Sequence, residues 1–236
     1  LVAVALLVAC SSGDESTLGR AEEAMAELEA GALTLELAAT AADVEEPVGF
    51  RVDGTYSFAS EGDLPVFDFT YTELLAGDEN VATISSDGDA VVVVVDGEEH
   101  ELSADDGASL RLGDDEGFAD LGIASWVDEP QERHRGDDTV VTGGVDAADL
   151  LSDIARIAAQ VSGAGEIGPL DEEGATRLAS LVRSSEIEVV VGDDDLPRSV
   201  EAVLDFGSDV PDELSEALGP YAAARLRLSV TLEPQR

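Results

Sequence analysis

The chain has 236 residues and sets 53 acidic side chains against 12 basic ones, all of them arginine, for a formal net charge of −41. A polyanion of that size repels phosphate backbones, which excludes nucleic acid as a partner. An apolar fraction of 44% is enough to bury a core and excludes a disordered chain, while the single cysteine excludes any disulfide within it.

Leu1 to Ala9 is an unbroken apolar run, too short to span a bilayer, which takes about 20 apolar residues. It matches the apolar core of a secretory signal peptide. It ends in Leu7-Val8-Ala9-Cys10, which resembles the bacterial lipobox. Small side chains there let a peptidase approach the backbone, and the thiol takes a diacylglycerol through a thioether. Residues 1–9 are therefore expected to be a signal peptide, clipped at its start because no basic stretch precedes it and the chain does not begin with Met. Residues 10–16 are expected to be the lipidated N-terminus and tether, and residues 17–236 a single domain. The alternative is a buried N-terminal segment with an ordinary core cysteine, but the abrupt change to SSGDEST after Cys10 opposes it. The expected location is the extracytoplasmic face of the cell membrane.

Leu18, Ala21, Met25 and Leu28 recur at three- and four-residue spacing and predict a helix over Thr17–Ala30, with Gly31 as its stop. The period then changes to two. Leu33, Leu35 and Leu37 alternate with Thr34 and Glu36. Phe50, Val52, Tyr56 and Phe58 face one way, and Arg51, Asp53, Thr55 and Ser57 the other. Phe67, Phe69 and Tyr71 alternate with Asp68, Thr70 and Thr72. Such alternation marks antiparallel strands with one wet and one covered face. A turn is predicted at Glu61-Gly62-Asp63, and shorter strands at Val81–Ser85, Ala90–Val95 and Glu99–Leu102. Asp87-Gly88 and Asp96-Gly97 read as hairpin turns between them. Val91–Val95 shows no alternation and is expected to be covered on both faces.

Residues 103–120 read as a loop or a short irregular helix. A segment around Leu121–Val127 carries Trp126 and is expected to end at Glu129-Pro130, with a short strand following at Thr139–Thr142. Asp146 is positioned to cap a helix from Ala147 to Val161, whose stripe is Leu150, Ile154, Ile157, Ala158 and Val161; Gly163–Pro169 breaks it. A third helix is predicted over Glu172–Val182, with Asp171 as cap and Ala175, Leu178 and Val182 as its face. Strands at Glu186–Val191, Ser199–Phe206 and Ala224–Leu232 close the chain. Helix, many strands, two helices and more strands make an α+β pattern with one large antiparallel sheet.

No catalytic constellation is present. Gly163 to Gly168 fits G-x-G-x-x-G, but it follows a helix where a strand is needed, and Pro169 comes next. There is no lysine for a P-loop. His100 and His134 sit in polar surroundings typical of solvated histidines. The acidic clusters Asp193-Asp194-Asp195, Asp114-Asp115-Glu116 and Asp87-Gly88-Asp89 reproduce no calcium-loop spacing, so no metal and no cofactor is expected. What stands out is the aromatic content. Of one Trp, three Tyr and six Phe, six lie on two neighbouring strands: Phe50, Tyr56, Phe58, Phe67, Phe69 and Tyr71. They read either as the packed core of the sheet or as the wall of an apolar cavity left where helices cover the sheet only in part.

The segments SWVDEP (125–130), GDDTVVTGGVDAADLLSDI (136–154), EIEVVVGDDDLPRSVEAVLDF (186–206) and RLRLSVTLEP (225–234) form an ordered series. It resembles the actinobacterial LppX/LprG lipoproteins, which share the half-barrel fold of the LolA and LolB lipoprotein carriers. Gly144-Val145-Asp146 and Leu196-Pro197-Arg198 stand where that family starts a helix after a glycine and places an l-P-R after a strand. The resemblance spans roughly residues 17–236. It implies a large curved antiparallel sheet with helices packed on its concave side and a cavity for acyl chains of lipid or glycolipid, and it brings no catalytic residues. The acidity and the absence of lysine depart from the pattern and weigh against an anionic glycolipid.

Strand alternation, not a matched motif, assigns the cavity to Phe50, Val52, Tyr56, Phe58, Phe67, Phe69, Tyr71, Leu204 and Leu228. The expectation is a non-enzymatic lipoprotein, held to the membrane through Cys10, that binds or carries lipid acyl chains. The alternative is an acidic structural or interaction module of the envelope with a filled core. The sequence leaves oligomeric state open.

Overall fold

The computed structural model describes residues 16–41, 44–57, 66–102, 122–162, 172–207 and 224–234. Helix α1 (Thr17–Ala26) precedes a meander of β1 (Ala30–Ala41), β2 (Val44–Ser57), β3 (Val66–Leu75), β4 (Asp78–Asp87), β5 (Val91–Val95) and β6 (Glu98–Leu102). Next come β7 (Val127–Arg135), β8 (Asp138–Val145), α2 (Ala147–Ser162), α3 (Glu172–Ala179), β9 (Val182–Val191), β10 (Pro197–Phe206) and β11 (Arg225–Pro234). The strands form one 11-stranded sheet in the order β6-β5-β4-β3-β2-β1-β11-β10-β9-β8-β7, antiparallel at every junction. The sheet is open, with β6 and β7 as its edges. The expected fold class, α+β with one large antiparallel sheet and helices on one side, is what the structure shows.

Two meanders, β1–β6 and β7–β11, are joined by β1 against β11, in register from Gly31↔Pro234 to Thr40↔Arg225. Because alternation has a period of two, that register decides which side chains share a face. One row across the sheet runs Val95, Ala82, Tyr71, Val52, Leu35, Val230, Val200, Val189, Val141. This inner face carries α1, the turn at residues 122–126 and α2, whose Leu18, Met25, Ile123, Trp126, Leu150 and Ile154 are buried with it in one core.

The outer face holds four arginine–carboxylate pairs. There Arg51 pairs with Asp53 at 2.6 Å, Arg225 with Asp205 at 2.7 Å, Arg227 with Glu201 at 3.0 Å and Arg133 with Glu188 at 2.7 Å. The hydrogen bond from Arg51 holds the Asp53 carboxyl below the usual carboxylate range, and that from Arg225 does the same for Asp205.

Local chemistry sets the element ends. The Ser16 hydroxyl accepts the Gly19 N–H at 3.0 Å and caps α1. Asp146 caps α2 as expected, accepting from the Ala148 and Asp149 N–H groups at 3.1 and 3.2 Å. Asp96 and Gly97 both have positive φ (53° and 81°), forming a two-residue hairpin turn of the primed kind. Asp87 Oδ1 accepts the N–H groups of Asp89 and Ala90, both at 3.0 Å, and shapes the β4–β5 turn. Ala76-Gly77 (φ 50° and 108°) makes the β3–β4 turn, which the sequence did not signal because alanine rarely takes that conformation.

Several expectations are corrected. Helix α1 ends at Ala26, and Gly31 is no helix stop: it lies in β1 opposite Tyr56, whose hydroxyl occupies the space a side chain would need. Glu129-Pro130 does not end its segment. Strand β7 runs through it with a register shift between Asp128 and Gln131 and positive φ at Glu129, which is a bulge. Proline is tolerated there because β7 is an edge strand. Val91–Val95 is not covered on both faces: Val91 is buried, Val92–Val94 are half-buried, and Val95 is 42% exposed, because β5 lies next to the sheet edge. Val182 belongs to β9, not to the third helix, which ends at Ala179. The turn at 61–63, the loop at 103–120, the break at 163–169 and the Asp171 cap lie outside the described residues, as do the side chains of Ile157, Ala158 and Val161.

A Cβ at Gly54 would collide with the Asp68 carbonyl oxygen and meet the Phe69 ring at 2.6 Å. Gly54→Val is therefore expected to destabilise the fold by about 1–3 kcal/mol, the usual range for overpacking; an unchanged urea midpoint would contradict the close approach. With a net charge of −41, screening relieves self-repulsion, so raising NaCl to about 0.5 M at neutral pH should raise Tm. A Tm that falls with salt would show that the outer-face ion pairs outweigh the repulsion. Because the Asp53 and Asp205 pKa values are lowered on folding, their contributions are full above the unfolded value near about 4 and fade as pH falls through the folded ones. Their loss is thus expected only below about pH 4, read as a drop in Tm across an acid series.

Candidate functional site

The inner face has a small pocket at its centre, lined by Leu35, Leu37, Phe50, Trp126, Ile154, Leu228 and Val230, with a cavity volume of about 10 Å³. That is room for roughly one water-sized sphere, and every wall residue is apolar or aromatic. The floor is built by β1, β2 and β11, whose registers put Leu35 beside Val52 and Val230, and Leu37 beside Phe50 and Leu228.

The roof is Trp126 and Ile154. Trp126 is 1% exposed and donates from Nε1 to Asp153 Oδ2 of α2 at 2.8 Å. Its carbonyl accepts the Asp146 N–H at 2.9 Å, and Glu22 of α1 accepts the Ala124 N–H at 2.7 Å. The 122–126 turn is thus held from both helices, and the indole is pressed toward the sheet. A buried Trp with its N–H satisfied is an inexpensive way to fill a large apolar space.

From the pocket the inner face continues into an aromatic wing. Phe50 stacks on Tyr71 (centroids 6.0 Å, planes 23° apart), and Phe67 on Phe69 (5.5 Å, 25°). Phe50, Val52, Phe67, Phe69 and Tyr71 are half-buried. Tyr56 is buried, and burial pushes the phenols of Tyr56 and Tyr71 up. Gly54 leaves the space into which the Phe69 ring fits.

The structure brings Phe50, Val52, Tyr56, Phe67, Phe69, Tyr71, Leu204 and Leu228 onto this one face. Their roles differ. Phe50 and Leu228 line the pocket, the other β2 and β3 residues form the wing, and Leu204, 1% exposed, belongs to the packed core. Cys10 and Phe58 lie outside the described residues. Leu35, Leu37 and Val230 were in the alternation already and only their convergence was hidden. Trp126 and Ile154 were missed as pocket residues, because only tertiary packing aims the 122–126 turn and α2 at β1.

His100 lies on β6 and His134 on β7, opposite edges of the sheet, and both are exposed. His134 Nδ1 is 3.3 Å from Thr139 Oγ1. Asp194 and Asp195 are engaged by Arg198 and Arg20 at 2.8 and 3.0 Å. Among the described residues no three His, Cys, Asp or Glu side chains converge as a metal site, and no helix is long and apolar enough to cross a membrane. The G-x-G-x-x-G stretch lies outside them.

No family model matches the chain, and no curated protein does. Among solved structures it is similar to LprF from Mycobacterium bovis, with 10% identity and TM-score 0.49 over 92% of this chain and 90% of that one. It is similar to the Mycobacterium tuberculosis lipoprotein LppX, with 14% identity and TM-score 0.41 over 92% and 91%. A LolA superfamily protein from Nitrosomonas europaea follows at 11% identity and TM-score 0.22 over 93% and 92%. These are the groups that the motif order resembles. At TM-scores of 0.49 and below none of them decides the chemistry of the site, which stands on the residues themselves.

Trp126→Phe removes the donor to Asp153 and part of the pocket roof. The expected cost is about 1–3 kcal/mol, that of a lost hydrogen bond to a charged group, measured by urea unfolding. A variant as stable as the parent would show that the clamp does not hold the turn.

Proposed function

We propose that the protein is a non-catalytic envelope lipoprotein, anchored through Cys10, that shelters lipid acyl chains against the inner face of its sheet. The observation that supports this best is the chemistry of the pocket and wing. Seven apolar or aromatic side chains line the pocket, and half-buried aromatics extend it along β2 and β3. Such a surface offers hydrocarbon nothing to desolvate and gives it apolar area in return. Each buried methylene contributes about 0.8 kcal/mol, so a chain of ordinary length is held without any reaction.

Size sets the mechanism. A cavity of about 10 Å³ is too small for an acyl chain, so loading displaces Trp126 and Ile154 and lifts the 122–126 turn and α2 from the floor. The second reading, a filled-core structural module, draws on the same small volume: if the roof stays down, the inner face is simply a core.

Native mass spectrometry of the full chain, purified from membranes of a lipoprotein-processing bacterium, separates the two. Lipid binding predicts a thioether-linked diacylglycerol at Cys10 together with a noncovalent lipid that organic extraction removes. Protein without noncovalent lipid, which also fails to take up a long-chain fatty acid after delipidation, would leave the filled-core module. Cys10→Ala should release the protein from the membrane fraction; retention there would overturn the anchor.

A further inference from the structure

We infer that Tyr71, Glu73 and Asn80 form a polar ledge on the inner face that selects lipid headgroups which donate hydrogen bonds and carry no negative charge. This rests on the lipid-binding reading and specifies which lipids the pocket accepts.

The register places the ledge. Glu73 stands opposite Phe50 on one side and Asn80 on the other, and Tyr71 opposite Val52 and Ala82. All lie on the face that Leu35 and Leu37 present. Phe50 is a wall of the pocket and stacks on Tyr71 at 6.0 Å, so the ledge is continuous with the apolar site. On that face it is bordered by Leu75 and Val95, exposed at 43% and 42%, and by the exposed carboxylates Asp78 and Glu98 that stand opposite them. Of these three carboxylates Glu73 is the half-buried one, opposite Phe50 and next along the face from Tyr71.

The hydrogen-bonding capacity is one-sided. Asn80 Nδ2 donates to Glu73 Oε2 at 2.9 Å, which fixes the carboxylate and leaves Glu73 Oε1 and the Asn80 carbonyl oxygen as acceptors. The half-buried Tyr71 hydroxyl has no hydrogen-bond partner among the described residues. Among the described residues no arginine is paired with them: the arginine of β2, Arg51, is on the outer face and paired with Asp53. Hydroxyls on a headgroup would meet two acceptors and a phenol. A phosphate or carboxylate would meet the Glu73 charge with no arginine of the described residues to offset it, the like-charge juxtaposition that interfaces use to reject wrong partners.

The test compares three lipids with identical acyl chains on the delipidated full chain: dioleoylglycerol, its glucosyl derivative and dioleoylphosphatidylglycerol. Competition is run at about 0.5 M NaCl, where screening over about 4 Å suppresses the field of the whole molecule and leaves the local one. The glucosyl lipid is expected to be preferred over phosphatidylglycerol by about tenfold or more. Glu73→Gln should cut that ratio to a few-fold by restoring phosphatidylglycerol binding, and Tyr71→Phe should weaken the glucosyl lipid alone. Equal binding of the two headgroups to the parent protein, or a ratio that Glu73→Gln leaves unchanged, overturns the ledge while dioleoylglycerol binding upholds the pocket. Failure of all three lipids to bind overturns the pocket and the ledge with it.

Discussion

Everything in this molecule depends on the ladder between β1 and β11. It brings residues 30–41 and 225–234 together over ten paired positions and turns two separate meanders into one sheet. Without it each meander would have an unpaired edge just where the core is deepest, at Leu35 and Val230. The register also has to be right to the residue. A slip by one would send Leu33, Leu35 and Leu37 to the outer face and bring Thr34 and Glu36 inside, with every neighbouring row following. Burying leucine and valine side chains contributes about 1.5–3 kcal/mol each, so the pattern on both strands strongly disfavours any other alignment.

The separation of faces follows from the same register and makes the acidity tolerable. Inside, rows such as Val52, Leu35, Val230, Val200 and Val189 carry no charge. Outside, Arg51, Arg133, Arg225 and Arg227 are set among carboxylates on adjoining strands. Single exposed pairs of this kind contribute little; their use is to place the few cations where anionic strands lie side by side. Arginine suits that position, since its planar fork can engage a carboxylate through two nitrogens, as Arg225 does with Asp205 at 2.7 and 3.2 Å.

How much of this was legible in the sequence depended on how local the cause was. Alternation at Leu33–Leu37, Phe50–Tyr56 and Phe67–Tyr71 is a property of each strand alone, and it put the inner-face residues together correctly. Asp146 and the Asp96-Gly97 turn were equally local. Strand β7 was misread because its sequence, VDEPQERHR, has a proline and almost no apolar residue. It is a strand through pairing with β8 and through an edge position that asks for no second partner. Val91–Val95 misled in the opposite direction, since five valines say nothing about how close a strand lies to the edge. Of the pocket, the floor could be read and the roof could not. Nothing in the order of residues says that Trp126 and Ile154 come to rest above Leu35 and Leu37.

Floor and roof are also held by different forces, and that difference bears on how such a site works. The floor strands are fixed by continuous backbone ladders on both sides, so moving one means breaking many hydrogen bonds at once. The roof rests on side-chain packing and a few bonds: Trp126 to Asp153, Asp146 to the Trp126 carbonyl, and Ala124 to Glu22. Each is of the kind that contributes about 0.5–3 kcal/mol net, and all lie in one short turn. On the proposed lipid-binding reading, an entering acyl chain replaces the contacts of Trp126 and Ile154 with equivalent ones of its own, so the exchange is close to balanced apart from those bonds. In a sheet this regular, adaptability is confined to its cover. The 122–126 turn, held by α1 on one side and α2 on the other, is the part of that cover which the proposed loading has to move first.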